Sequence, residues 1–233
     1  MQTAAAKSLN VIKFPGGFQL RKPGLKTAKQ RKSQDGIKYL TEPDIKRLRR
    51  EVRDAAHLAE QRGQCTGVRE WAAIDTLTCS GLREAELANL RCGDIRGGYG
   101  ESEIYVRNGK GGKTRTVQVP QTCKIHLNHL LTWKEQRGEP IGADDPIFVG
   151  QRGQWTPQAV AQCVKKWFRR LGLYEKGKSA HTLRHSYAVH YYRRTGDLRG
   201  LQKQLGHSKI QTTTIYAEVM KEDIQDNIKG LWN

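Results

Sequence analysis

The sequence lacks any long hydrophobic run. Nothing in it approaches the ~18 apolar residues of a membrane-spanning helix, so no membrane partner is expected. A secretory signal needs an apolar core near the start, and Ala4–Ala6 is too short to be one. The five cysteines (Cys65, Cys79, Cys92, Cys123, Cys163) are odd in number, widely spaced and without a C-x-x-C pair. They point to unpaired thiols in a reducing, cytoplasmic compartment rather than to a disulfide framework. His181 and His185 stand four apart, but no glutamate follows in the H-E-x-x-H order and no third ligand is near. No metal and no cofactor is therefore expected. Internal repeats and low-complexity blocks are also missing.

Acids are the scarcest resource. There are 23 Asp and Glu against 41 Lys and Arg, a net charge of +18 over 233 residues. Such an excess suits no small neutral substrate and predicts a polyanionic partner, most simply nucleic acid, with a membrane surface as the competing anion. A hydrophobic content of 36% is enough for one sizeable core. Residues 1–37 show neither helical nor strand periodicity. They hold Lys7, Lys13, Arg21, Lys22, Lys26, Lys29, Arg31 and Lys32 with Asp35 as their one acid. This reads as a flexible basic arm, either a solvated tail or a segment that tracks phosphates. Its composition is shared by organelle transit peptides and is nonspecific.

Order begins near Tyr39, and a domain is expected over 38–233. Thr41 and Asp44 form a capping box with Pro43 in the first turn, opening a helix that Gly63 stops. A second helix spans roughly 67–78, and another starts near Arg83. Residues 103–107 and 114–119 alternate as strands around Asn108-Gly109-Lys110-Gly111-Gly112, a hairpin with a basic, glycine-rich tip. A helix follows with Cys123, Leu127 and Leu130 on its stripe and His126 and His129 off it, as surface residues. Thr156-Pro157 opens a further helix, with Lys165, Lys166, Arg169 and Arg170 on its outer face. A tail helix is expected over 219–233. The pattern is α+β, mostly helical, with a small β-hairpin or sheet region.

The stretch from Ser179 to Val219 carries the chemistry. Thr182 is the expected N-cap of a helix that Gly196 ends; Asp197 caps the next, which Gly206 ends; Ser208 with Gln211 opens a third. His181 and Arg184 then sit at a helix start, His207 at a turn and Tyr216 on the last helix. Alone, each histidine reads as structural and Tyr216 as a core aromatic. Together they can act on one phosphate. A tyrosine hydroxyl, with a pKa near ~10, is a poor nucleophile unless a base takes its proton and cations favour the phenolate. A guanidinium fork can hold two non-bridging phosphate oxygens. Attack on a phosphodiester leaves a phosphotyrosine and an alkoxide that needs an acid. The bond energy is kept, so another hydroxyl can reverse the step.

The stretch resembles the C-terminal half of the tyrosine recombinase, or phage integrase, family. That family carries H-x-x-R, then L-G-H, then a nucleophilic tyrosine nine residues on. Here these are His181-Thr182-Leu183-Arg184, Leu205-Gly206-His207 and Tyr216. Upstream, Gly81-Leu82-Arg83-Glu84-Ala85-Glu86-Leu87 and Asp94 resemble its G-x-R-x-x-E-L setting, and Gly109-Lys110-Gly111 its hairpin lysine, with Lys113 as the rival. The resemblance covers about residue 39 to the end.

It implies that Tyr216 is the nucleophile and that Arg83 and Arg184 bind the phosphate, with Glu86 a structural partner. His181 and His207 assist proton movement, His181 as the expected base, and Lys110 is the acid to the 5′-oxygen. No cofactor is implied. The implied function is a site-specific DNA recombinase of integrase, invertase or resolvase type, acting on double-stranded DNA through a 3′-phosphotyrosyl link. The implied setting is nucleoid-associated, in a bacterial, phage or plasmid system, with self-association as a tetramer on DNA and accessory DNA-bending proteins. Many members place a separate helical DNA-clamping domain before the catalytic one; here the basic arm stands there, as in short, single-domain invertases of fimbrial type. Two other functions fit the same residues: a non-catalytic DNA-binding regulator, and a relaxing enzyme like the type IB topoisomerases. A metal-dependent nuclease ranks behind both.

Overall fold

The computed structural model describes residues 37–96, 102–107 and 114–218. The basic arm, the hairpin tip with Lys110 and Lys113, and the 219–233 tail lie outside the described residues. The first helix, α1 (Glu42–Gln61), starts where its local chemistry dictates: the Asp44 N–H donates to the Thr41 side chain at 3.3 Å. It buries Leu48, Val52 and Ala56 against α2 (Thr66–Ser80). Helix α2 is buried on nearly every side, and it packs against α1 and, among later helices, most closely on the two that begin at Gln121 and Ala180, so it is the spine of the core.

Two charges travel inward with it. Asp75 is 2% exposed and sits between Arg49 (Nε to Oδ1, 2.8 Å) and His126 (Nδ1 to Oδ2, 2.8 Å). Glu70 accepts from Lys166 Nζ at 2.8 Å and from Trp167 Nε1 at 2.9 Å. His126 is thus not a surface residue as the helical stripe suggests: it is half-buried, held by Asp75 and packed on Trp71 with ring centroids 4.8 Å apart.

Past Gly81 comes the one-and-a-half-turn α3 (Glu84–Ala88), and then an antiparallel sheet of β1 (Ile95–Arg96), β2 (Glu103–Val106) and β3 (Arg115–Gln118) in that order. Its register pairs Ile95 with Ile104 and Val106 with Arg115. Ile104, Val106 and Val117 point into the core. Helix α4 (Gln121–Gln136) packs on α2, a small hairpin joins β4 (Val149–Gly150) to β5 (Gly153–Gln154), and α5 (Pro157–Arg170) follows with Thr156 as N-cap. The outer face of α5 is partly spent inside the molecule. Lys166 pairs with Glu70, Arg170 stacks on Trp167, and Lys165 and Arg169 lie over Tyr174.

The last three described helices are α6 (Ala180–Thr195), α7 (Leu198–Leu205) and α8 (Gln211–Glu218). Helix α6 begins a turn earlier than a Thr182 cap would set it. Ser179 is the N-cap, with the His181 N–H donating to its Oγ at 3.3 Å and the Ser179 N–H donating back to Thr182 Oγ1 at 3.0 Å. Thr182 is therefore the far half of a capping box. Gly196 and Gly206 end α6 and α7 in the left-handed region, at φ 64° and 65°. Helix α8 begins at Gln211, later than a Ser208 cap would start it. A second small core of Ala188, Val189, Leu201, Leu205 and Tyr216 joins these helices.

Candidate active site

Each expected side chain among the described residues reaches the site from an element end. Arg83 is the N-cap of α3, and its backbone and guanidinium both turn onto Glu86: N–H to Oε2 at 2.9 Å, Nη1 to Oε1 at 2.7 Å. Arg184 comes from the second turn of α6 and is 4% exposed. Its Nη1 donates to the Gly81 carbonyl at 2.6 Å, and its Nη2 to the Leu205 carbonyl at 2.7 Å and to His207 Nε2 at 3.1 Å. The turn after α2 and the turn after α7 are thereby tied to one guanidinium. Gly81 sits at φ 63°, and a Cβ there would lie 2.5 Å from Tyr187 Cδ1, so the backbone approaches α6 as glycine alone permits.

The histidines are held in different states. A guanidinium can only donate, so His207 Nε2 accepts from Arg184, and the ring proton lies on Nδ1, facing Thr213 Oγ1 at 2.9 Å. Burial, then the charges of Arg184, Arg83 and Arg115, push His207 down to about 4, so this ring is neutral at physiological pH. His181 is half exposed and its Nδ1 meets Glu84 Oε1 at 3.0 Å, a contact that raises its pKa against partial burial. A shallow cleft of about 380 Å³ opens on His181, Arg83, Glu84, Pro157 and Gln158.

Tyr216 is 2% exposed. Its hydroxyl lies 2.9 Å from Nδ1 of His185, not against His181, whose own ring is 6.4 Å from that of His185. Burial raises the phenol pKa, while Arg184 and Arg83 are close enough to pull it down in part. Burial, then the charges of His181 and Arg184, lowers the pKa of His185, so at neutral pH the imidazole is uncharged and able to accept a proton.

His185 is one residue that the motifs did not place beside the phenol: its spacing from His181 speaks only to a metal pair, although one turn along it shares that helix face. Arg115 is the other. Its Nη1 and Nη2 grip Glu86 Oε1 and Oε2 at 2.8 and 3.0 Å. Burial alone would raise the Glu86 carboxyl, but the bonds and charge of Arg115, then of Arg83, hold it down at about 2. Asp94 lies outside this cluster's bonding. It is 1% exposed and accepts from Arg91 N and Arg107 Nε.

One other set could be considered for a metal. Among the described residues, Asp75, Cys79 and Cys123 bring ligand atoms within 4.8 Å of one another. Both carboxylate oxygens of Asp75 are already taken, by Arg49 and by His126, so the set reads as a closed buried network.

The arrangement, then, is two arginines, a phenol and three imidazoles converging on the ends of α2, α6 and α7. Known proteins share both the sequence and the fold. Tyrosine recombinase XerC of Bradyrhizobium diazoefficiens is 35% identical over 164 residues, which is 70% of this chain and 50% of that one. Tyrosine recombinase XerA of Pyrococcus horikoshii is 32% identical over 154 residues, 64% of this chain and 50% of that one. The chain thus spans about half the length of the curated relatives it matches. Among solved structures, that of XerA recombinase superposes with a TM-score of 0.66 at 28% identity, over 84% of this chain and 65% of that one. XerH recombinase bound to its palindromic difH substrate, in a post-cleavage complex, shares the fold with a TM-score of 0.68 at 23% identity, over 84% of this chain and 53% of that one. The family model described as phage integrase matches residues 38–223, which holds every described side chain of this cluster, and the chain belongs to that family.

Proposed function

We propose that this protein is a tyrosine-type site-specific recombinase that cuts and rejoins double-stranded DNA through a 3′-phosphotyrosyl intermediate. The observation that carries the reading is the Tyr216 hydroxyl, bonded to a neutral imidazole within reach of the Arg83 and Arg184 charges. In this reading the Tyr216 oxygen attacks the scissile phosphorus as His185 takes the phenol proton. Arg83 and Arg184 hold the non-bridging oxygens and offset the charge of the transition state. His181, whose charged form is favoured by Glu84, adds to the cationic wall, and the neutral His207 accepts from Arg184 and holds that guanidinium in place. The bond from phosphorus to the 5′-oxygen breaks, and Lys110 supplies the proton to that oxygen. A 5′-hydroxyl from another strand reverses each step, so no energy source is needed. Since Tyr216 is buried among Leu201, Leu205 and Val189, cleavage also requires α8 to bring the phenol to the phosphate.

The same proposal extends to organisation and setting. The arm over 1–37 tracks phosphates, the domain over 38–233 does the chemistry, and the 219–233 tail packs on its own domain or a neighbouring subunit. Strand exchange takes four copies on DNA, with accessory bending proteins, in the cytoplasm of a bacterial host or of one carrying its phage or plasmid. The test is a nicked suicide substrate that traps the covalent complex on a denaturing gel. Wild-type protein is expected to give the adduct, and Tyr216→Phe none while still binding DNA. An adduct that survives Y216F refutes the assignment.

A further inference from the structure

All three guanidinium nitrogens of Arg115 are engaged within the protein. Nη1 and Nη2 are spent on the two oxygens of Glu86, and Nε donates to the carbonyl of Gln204 at 3.0 Å. Its side chain is 13% exposed. It is nevertheless at the junction of three elements that carry the site: β3, from which it projects, α3, whose N-cap is Arg83, and the C-terminus of α7, after which comes His207. The glycine before His207 is part of the same contact. A Cβ at Gly206 would lie 2.8 Å from Arg115 Cδ and 2.9 Å from its Nε, so only a glycine lets the guanidinium lie across this turn.

The arrangement decides what Glu86 does. Its carboxylate takes two bonds from Arg83 and two from Arg115, and Arg184 Nη1 stands off at 3.9 Å from Oε2. A carboxylate has about four lone-pair sites, and here all are filled. Without Arg115 two sites would open beside Arg184, a buried cation. Charge-assisted pairing would then draw Arg184 off Gly81, Leu205 and His207 and onto Glu86. We infer that Arg115 is a positioning residue of the strand-cleavage site: by saturating Glu86 and fixing the Gln204–His207 turn, it keeps Arg184 and His207 in register for the phosphate.

This inference rests on the recombinase reading, and the experiment separates the two. Adduct formation on the suicide substrate is measured at saturating DNA for wild type, Arg115→Ala, Arg115→Lys, Glu86→Gln and the double variant R115A/E86Q. R115A is expected to lose about 100-fold in rate, the scale of a misplaced catalytic group, with DNA affinity little changed. The decisive readout is the double variant. Removing the carboxylate charge removes the competitor for Arg184, so R115A/E86Q should recover about tenfold over R115A. The deficit of R115A should also narrow as pH falls through the pKa of the released Glu86 carboxyl.

R115K can fill one site of the two, and should lie between wild type and R115A. It serves in R115A's place, alone and with E86Q, should R115A not fold. A double variant slower than R115A, or an R115A rate within about threefold of wild type, overturns the inference. A wild type that forms no adduct overturns the recombinase reading instead.

Discussion

At the scale of single residues, the surroundings of the two histidines on one face of α6 favour opposite charge states. His181 is half exposed and bonded to Glu84, so its charged form is favoured. His185 lies one turn on, deeper, and is kept neutral by burial and by the cations beside it. A lowered histidine pKa means that the neutral, proton-accepting form persists to lower pH. The acid limb of cleavage assigned to this group therefore falls below the ordinary histidine value of ~6.5. His185→Ala is expected to slow adduct formation about 100-fold at pH 7, within the range of general-base effects. The deficit should shrink as pH rises toward the phenol's own ionisation, because a phenolate needs no base. A pH–rate profile of the trapped complex checks both points. A deficit equal at every pH would mean that His185 only holds the phenol in place.

At the scale of elements, the start of α6 is set by four atoms. Ser179 and Thr182 exchange side-chain and backbone bonds across the first turn, where His181 sits. Ser179→Ala is expected to cost about 1 kcal/mol, read as a lower midpoint in thermal or urea unfolding, and to lower the cleavage rate beyond what binding explains. The same turn shows what the sequence could tell and what it could not. Capping chemistry, breaker glycines and apolar stripes are local, so α1, α5 and the ends of α6 and α7 were legible from Thr41, Thr156, Gly196 and Gly206. Ser179 and Thr182 are both good caps, and only the reciprocal bond says which is outermost. The two-residue β1 is too short to show a period. His126 left the α4 stripe yet turned inward, because Asp75 on α2 needed a second partner. The H-x-x-R and L-G-H motifs, with Tyr216, named most of the site. Arg115 stayed hidden because its partners are 29 and 89 residues away, and alternation along a strand reports only a face.

At the scale of the whole molecule, the excess of positive charge is what the ion pairs leave over. Many cations are spent on buried acids of the same chain: Arg49 on Asp75, Arg107 on Asp94, Arg115 on Glu86, Lys166 on Glu70. Even if each of the 23 acids took one base of the 41, the net charge of +18 would remain for a polyanion. Binding carried by phosphates releases counterions, so the logarithm of affinity falls linearly with the logarithm of salt concentration. For roughly 6–10 phosphates the loss is about 10³–10⁵ between 50 and 200 mM. The arm's share is separable, because it holds eight basic side chains and one acid. Neutralising Lys22, Lys26, Lys29 and Lys32 to glutamine is expected to reduce the salt slope by up to about 3–4, near 0.9 per phosphate lost. The cleavage rate of bound DNA should stay as it was, since the proposed chemistry assigns no role to these four lysines. Titration of a labelled duplex at several salt concentrations gives the slope directly. A slope unchanged by the four substitutions would take the arm off the phosphates and place the counterion release on the 38–233 domain alone.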